Sequence, residues 1–303
     1  MKKLAILTPT YNRAYVLPTL YESLLKQTSY DFVWYIIDDG STDDTSYICN
    51  GFSREKFDIQ YFKKENGGKH TALNYAYDLI DTELTFIVDS DDFLTVDAVE
   101  TILRDWEKYR SNPAIAGLSY YKMYKNRTIV GDRYSQETTI DTYINQRINK
   151  KIMGDKAEVY RTELLKQNRF PVFPNEKFMS EAVVWCKISQ EYSLVFIAKG
   201  IYICEYLQDG LTKEGRVKQI LNPRGTMEHA KAHMCPQVKW TIRLKYFVLY
   251  LAASRFANIR LAEAVSSIKY GKLLCILFYP AGYCLYKSWT AKYTNSDKLT
   301  KAC

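Results

Sequence analysis

The sequence predicts an α/β protein: a Rossmann-like, mostly parallel sheet with helices on both faces, followed by a helical C-terminal segment. Three observations lead there. Short apolar runs alternate with stretches of helical period through about the first 110 residues. Several of those runs end in polar turns rich in Asp, Gly, Thr and Asn. From about residue 216 onward the strand pattern gives way to helical stripes. A repeating β-α-β-α order implies parallel pairing, and ligands of such sheets bind beyond the carboxyl ends of the strands.

The elements follow in order. Leu4–Leu7 reads as a buried strand, and Ala14–Gln27 carries apolar residues at helical spacing. Phe32–Ile37 is the second strand. Asp43–Cys49 opens with acidic residues suited to a helix N-terminus. Phe57–Phe62 alternates as a strand, Thr71–Ile80 is helical, Leu84–Val88 is a buried strand and Val96–Tyr109 a helix. Ala114–Tyr121 and Leu194–Ile203 look like strands, with a helix at Glu181–Gln190 between them. Val238–Ala257 and Leu261–Tyr286 carry the C-terminal helical stripes. The expected division is a catalytic domain over 1–215 and a basic helical segment over 216–303, with no internal repeat.

Charge separates the same two parts. The 303 residues carry a net charge of +8, yet residues 215–303 hold 15 Lys and Arg against 3 Asp and Glu. A basic, apolar-interleaved segment suits an anionic membrane surface, and no nucleic-acid partner is expected. Leu273–Tyr286, broken by Pro280 and Gly282, is too short to span a bilayer but fits an interface. Packing on the catalytic domain, or a homo-dimer contact, is the alternative use of these helices. Seven irregularly spaced cysteines without C-x-x-C indicate reduced thiols in a cytoplasmic compartment. No signal peptide is visible at Met1-Lys2-Lys3.

Four strand ends carry unusual polar residues: Thr8-Pro9-Thr10-Tyr11-Asn12-Arg13; Asp38-Asp39-Gly40-Ser41-Thr42-Asp43-Asp44; Glu65-Asn66-Gly67-Gly68-Lys69-His70; and Asp89-Ser90-Asp91-Asp92. The last speaks most clearly. Three carboxylates in four residues repel one another, and burial raises their proton affinity unless a cation compensates. Hard oxygen ligands at a strand end suit Mn²⁺ or Mg²⁺, with phosphate oxygens completing the shell. A helix cap needs one such residue rather than three. Asp-Asp-Gly-Ser taken alone is an ordinary turn. Gly67-Gly68-Lys69 has neither the P-loop nor the dinucleotide spacing.

Together these motifs resemble the family 2 glycosyltransferases of GT-A fold, in order and spacing, over roughly residues 1–210. The resemblance implies a nucleotide-diphospho-sugar donor, most simply a UDP-sugar. It implies that Pro9, Tyr11 and Arg13 line the nucleotide pocket, and that Asp39, with Asp38, holds the base beside Lys69. Asp89 would bind the ribose, and Ser90 would belong to the nucleotide site beside it. Asp91 would ligate the metal, with Asp92 as neighbour or second ligand. Glu181, in Phe178-Met179-Ser180-Glu181, matches the family's acidic position at the start of a helix and is the candidate base, with Glu176 as the fallback. Relatives often carry Glu-Asp there, whereas this chain has Glu181-Ala182. Trp185, one turn on, would stack on an acceptor sugar or else sit in the core. The implied reaction is inverting transfer of one sugar to a glycan or lipid-linked hydroxyl. Its setting would be bacterial surface polysaccharide synthesis at the inner face of the membrane. Tyr206–Thr212 is placed to cover the donor.

Two other classes compete. A sugar-nucleotide-forming nucleotidyltransferase would need a Gly-rich loop after the first strand, where Thr8–Arg13 has no glycine. A non-catalytic sugar-nucleotide-binding scaffold has no need of Asp89, Asp91 and Glu181. His229 and His233 share a helix face but lack the H-E-x-x-H pattern, and a solvated face is expected for them.

Overall fold

The computed structural model describes residues 2–205 and 215–293. The first four strands are β1 (Leu4–Thr10), β2 (Phe32–Asp38), β3 (Asp58–Lys63) and β4 (Leu84–Ile87). β1 and β2 are buried along their whole length, as near-continuous apolar sequences in a covered parallel sheet require. Helices α1 (Leu17–Leu25), α2 (Thr45–Gly51), α3 (Lys69–Leu79) and α4 (Ala98–Glu107) alternate with them. α1 begins with a proline in its first turn, where the missing N–H costs nothing. α4 buries Ala98, Val99, Ile102 and Trp106, one stripe of a helix whose other face is polar.

The later strands are β5 (Phe93–Leu94), β6 (Ile115–Met123), β7 (Thr138–Asp141), β8 (Lys156–Arg161) and β9 (Ser193–Ile203), with α5 (Thr162–Gln167) directly after β8. Together the nine strands form one sheet in the order β3-β2-β1-β4-β8-β6-β9-β5, with β7 also pairing on β9. β1, β2, β3 and β4 pair in parallel, as the alternating pattern requires. Beyond β4 the sheet is mixed: β8 is antiparallel to both β4 and β6, while β9 runs parallel to β6. β5, β7 and β8 were not anticipated. β5 and β7 are short, and β8 (Lys-Ala-Glu-Val-Tyr-Arg) carries charges at both ends and a Glu inside.

The chain divides into two compact units. The first comprises the described parts of Met1–Arg169 and Ile188–Leu207, the second those of Phe170–Lys187 and Gln208–Cys303. The break expected after 215 thus falls inside the second unit, because 170–187 associates with the C-terminal helices. Asn222 and Glu176 account for this. The Asn222 side-chain oxygen accepts from the Lys177 and Phe178 amides at 2.9 and 3.0 Å. Glu176 accepts from the Arg224 and Gly225 amides at 2.9 and 2.8 Å, capping α8 (Pro223–Ala232).

The second unit packs α8, α9 (Trp240–Phe256), α10 (Leu261–Ser266) and α11 (Lys272–Tyr293) around Met227, Phe247, Tyr250, Leu251 and Cys275, with α7 (Gly215–Leu221) against α8 and α9. The stripe expected to run from Leu261 is two helices. Pro280 and Gly282 do not end α11, which continues through both. A Cβ at Gly282 would lie 2.4 Å from the Leu251 Cβ, so the glycine is where α11 closes on α9. No helix among the described residues is long and apolar enough to cross a membrane.

His229 and His233 are not on a solvated face. Their rings lie 4.4 Å apart, and His233 stacks on Tyr246 at 4.1 Å with 5% exposure. The apolar side of α8 simply includes them. Burial pulls His229 down to about 3 and His233 to about 4. Both folded values lie below the ordinary imidazole value near 6.5, so the unfolded chain takes up protons first as pH falls. The stability due to neutral His233 is full above about pH 6.5 and is lost as pH drops toward 4. The second unit is expected to lose about 2 kcal/mol between pH 7 and pH 5 from His233 alone. Urea melts at the two pH values measure it, and His233→Gln should flatten the difference.

Candidate active site

Three polar turns meet at the carboxyl ends of β1, β2 and β3. The Asp39 amide donates to the Thr10 carbonyl at 2.8 Å, continuing the β1–β2 pairing into the turns. Asn12 locks them further. Its amide donates to the Ser41 hydroxyl at 2.8 Å, and its side-chain oxygen accepts from the Thr42 amide at 2.8 Å. The Ala14 amide donates to Asp43 at 3.1 Å. Gly40 is required by both conformation and space: φ is +83°, and a Cβ would lie 2.8 Å from the Asn66 nitrogen.

Asp38 and Asp39 differ sharply. Asp38 has no exposure; it accepts from the Ser41 amide at 2.7 Å and from the Tyr61 hydroxyl at 2.7 Å. Its oxygens shape the turn. Asp39 accepts from the Gly67 amide at 3.0 Å, the Gly68 amide at 2.6 Å and the Lys64 ammonium at 2.7 Å. Its carboxylate therefore sits on the entry to α3, where Gly68 adopts φ +93° and Lys69 is the first helical residue. Among the predicted nucleotide-pocket residues, Pro9 is buried in β1, Tyr11 is 46% exposed, and Arg13 lies over the Tyr15 ring.

The Asp89–Asp92 turn follows β4. The Lys69 ammonium hydrogen bonds the Asp89 carboxylate, joining this turn to the start of α3. Lys122, near the end of β6, places its ammonium 3.5 Å from Asp89 and 3.8 Å from Asp92. The same nitrogen lies 4.0 Å from the centre of the Tyr202 ring. The Tyr202 hydroxyl, in β9, donates to Asp92 at 2.7 Å and accepts from the Asp89 amide at 3.0 Å. The Glu205 amide donates to the other Asp92 oxygen at 3.0 Å. Ser90 is buried.

The carboxylates separate accordingly. Burial would raise the proton affinity of Asp89, but Lys69 and Lys122 reverse the effect and hold it well below the usual range. Burial raises Asp92, opposed by Lys122 and reinforced by Asp89. Burial raises Asp91 too, with Asp89 adding repulsion. No hydrogen bond or ion pair from another described residue reaches the Asp91 side chain. Among the described residues no group of three or more acidic, His or Cys side chains converges as a metal cage. Asp91 nonetheless fits a divalent cation as a single protein ligand. It is a half-buried hard oxygen donor, repelled by Asp89 and offset only in part by Arg13 and Lys69.

Glu181 and Trp185 belong to the second unit. The Glu181 carbonyl accepts from the Val184 and Trp185 amides at 3.0 and 3.1 Å, so it precedes α6 (Ala182–Ile188) as its cap residue. The fallback, Glu176, is spent on capping α8. Trp185 is 4% exposed and is an interior residue. Tyr206–Thr212 lies outside the described residues. Lys122 and Tyr202 were missed from sequence. The one signal for Lys122 is a lysine inside a strand-like run, Tyr120-Tyr121-Lys122-Met123.

A parallel β-α sheet, laced turns at its carboxyl edge and an acidic turn after β4 define a GT-A fold. The chain belongs to glycosyl transferase family 2, whose sequence profile matches residues 5–168. It is 26% identical over 204 residues to the glycosyltransferase GlyA of Streptococcus pneumoniae, covering 60% of this chain and 29% of that protein. It is 26% identical over 219 residues to the GalNAc(5)-diNAcBac-PP-undecaprenol beta-1,3-glucosyltransferase of Campylobacter jejuni, covering 70% and 68%. Among solved structures, residues 1–349 of Staphylococcus aureus TarS in complex with UDP-GlcNAc match with a TM-score of 0.60 at 18% identity, covering 94% of this chain and 92% of that one. The mannosyltransferase PcManGT of Pyrobaculum calidifontis, in complex with GDP-Man and Mn²⁺, matches with a TM-score of 0.57 at 18% identity, covering 99% and 85%. At these identities the structural likeness speaks to fold alone.

Tyr202→Phe keeps the ring under Lys122 but removes the hydroxyl that holds both Asp92 and the Asp89 amide. A loss of about 2 kcal/mol is expected, since a buried carboxylate and amide lose a partner. Urea unfolding of the variant against the parent chain measures it.

Proposed function

We propose that this chain is an inverting glycosyltransferase that moves one sugar from a UDP-sugar to a hydroxyl of a glycan or lipid-linked acceptor. The observation that carries the reading is the Asp89–Asp92 turn. One carboxylate is held ionised by lysines, one is tied to Tyr202, and Asp91 remains available. Family membership supplies the reaction class. The UDP-GlcNAc complex of TarS supports a uridine donor, and the undecaprenol-linked acceptor for which the Campylobacter relative is named supports a carrier-borne acceptor.

In this reading Pro9, Tyr11, Arg13 and Lys69 border the nucleotide. Asp39 holds the base, with Asp38 shaping the turn behind it, and Asp89 and Ser90 take the ribose. Asp91, with Asp92 beside it, holds Mn²⁺ or Mg²⁺. The metal supplies Lewis-acid stabilisation of the charge that develops on the diphosphate leaving group. Glu181 takes the proton of the acceptor hydroxyl as its oxygen attacks the anomeric carbon from the face opposite the leaving diphosphate. The pyrophosphate oxygen departs with the bond pair, and the anomeric centre inverts. Trp185, being buried, supports α6 rather than the acceptor.

Asp91→Ala is expected to abolish Mn²⁺-dependent hydrolysis of the matching UDP-sugar and its thermal-shift stabilisation, with the fold retained by circular dichroism. Glu181→Gln should lower transfer by roughly 10²-fold or more while leaving UDP binding unchanged. Equal stabilisation of the parent and Asp91→Ala by UDP and Mn²⁺ overturns the assignment.

We further place the enzyme at the cytoplasmic face of an anionic membrane. Leu273 is 82%, Leu277 70% and Ile276 54% exposed on α11, between Lys272 and Lys287. The full chain is expected to float with anionic liposomes and not with neutral ones, and Leu273→Glu with Leu277→Glu should release it. A homo-dimer through the same face would instead show as a change in sedimentation without lipid.

A further inference from the structure

We propose that Lys122 withholds the Asp89–Asp92 turn from a lone divalent cation, so that metal is retained only when a donor diphosphate accompanies it. The inference rests on the donor reading above and adds an order to it.

The turn carries three carboxylates. Two ammonium groups already serve it: Lys69 on Asp89, and Lys122 between Asp89 and Asp92 at 3.5 and 3.8 Å. Three carboxylates against two ammonium groups leave an incoming cation a net charge of about −1, with Asp91 the one carboxylate that no other described residue bonds. Affinity for hard divalent ions follows the number and charge of oxygen ligands, and a single carboxylate is a poor site. A cation shared among Asp89, Asp91 and Asp92 would also meet the Lys122 ammonium at close range, in a site where charges are weakly screened. A diphosphate changes both terms: it brings further oxygen ligands and negative charge to spare.

Lys122 is fixed for this task. Its nitrogen lies over the Tyr202 ring, and its side chain is 13% exposed. Tyr202 in turn is bonded to Asp92 and to the Asp89 amide. The ammonium therefore cannot drift into solvent as a surface lysine would. Lys69 is more exposed, at 28%, and belongs to the first turn of α3. In the donor reading a ribose replaces Lys69, the more exposed of the two, at Asp89, whereas Lys122 stays.

A purely structural Lys122 makes the opposite prediction. If it only held the turn together, its removal would loosen the carboxylates and weaken metal binding. The test is Mn²⁺ binding followed by the electron paramagnetic resonance signal of the free ion, without nucleotide and then with UDP. The parent chain is expected to bind Mn²⁺ weakly alone and roughly tenfold or more tightly with UDP, and Lys122→Met to bind Mn²⁺ alone roughly tenfold more tightly than the parent. Lys122→Arg should keep the parent behaviour. Lys69→Met, at the more exposed partner, should show a smaller gain and serves if Lys122→Met does not fold. Unchanged or weaker Mn²⁺ binding in the folded Met variants overturns the proposal while UDP–Mn²⁺ binding by the parent leaves the donor reading standing. A parent chain that binds neither Mn²⁺ nor UDP overturns both.

Discussion

The site depends on how three neighbouring carboxylates are kept at one sheet edge. Left alone, Asp89, Asp91 and Asp92 would repel one another and bind protons as burial raised their affinity. The fold answers with groups drawn from α3, β6 and β9: Lys69, Lys122, the Tyr202 hydroxyl and the Glu205 amide. A cationic group and a phenol on strands far apart in sequence thus decide which carboxylate is charged, which is tied down and which is open. The register of β6 against β9 matters for this reason. Lys122 pairs with Tyr202 across a parallel ladder whose shifts bring the two residues level at the strand ends.

The other half of the sheet solves a different problem with the same means. β1 and β2 run straight into polar turns, whose backbone groups need partners once strand pairing ends. Asn12, Ser41, Thr45 and Asp43 provide them. Asp39 then reaches across to the entry of α3, whose free amides attract a carboxylate. This fixes Lys69 as the first residue of the helix and directs it at Asp89. The acidic turn after β2 thereby positions a cation for the acidic turn after β4, although the two share no contact of their own in that chain of bonds.

What was legible in the sequence follows from range. Periodicity is local, so β1 to β4 and α1 to α4 could be read, with ends shifted by one to three residues where caps rather than apolar residues decide the boundary. The four polar turns could be read because their chemistry is local too. Strand order after β4 could not, because β8 inserts between β4 and β6, and β9 gathers β5 and β7 on its far edge. Lys122 and Tyr202 escaped for the same reason: each is unremarkable in its own strand and acquires meaning only from its neighbour. The His229–His233 pair was misread because a helical face says which residues point together, not whether another helix covers them.

The second unit carries the remaining chemistry under different constraints. Two glutamates five residues apart are the candidates for the base, and their side-chain bonds distinguish them. Glu176 faces the first turn of α8, where two amides would otherwise be unpaired. Converting it to a proton acceptor would cost those bonds, because a protonated carboxyl accepts them less well. Glu181 is held at the start of α6 by its main-chain carbonyl, which accepts from Val184 and Trp185. A group that must gain and lose a proton in each turnover cannot also be the carboxylate that caps a helix, and Glu176 is that cap.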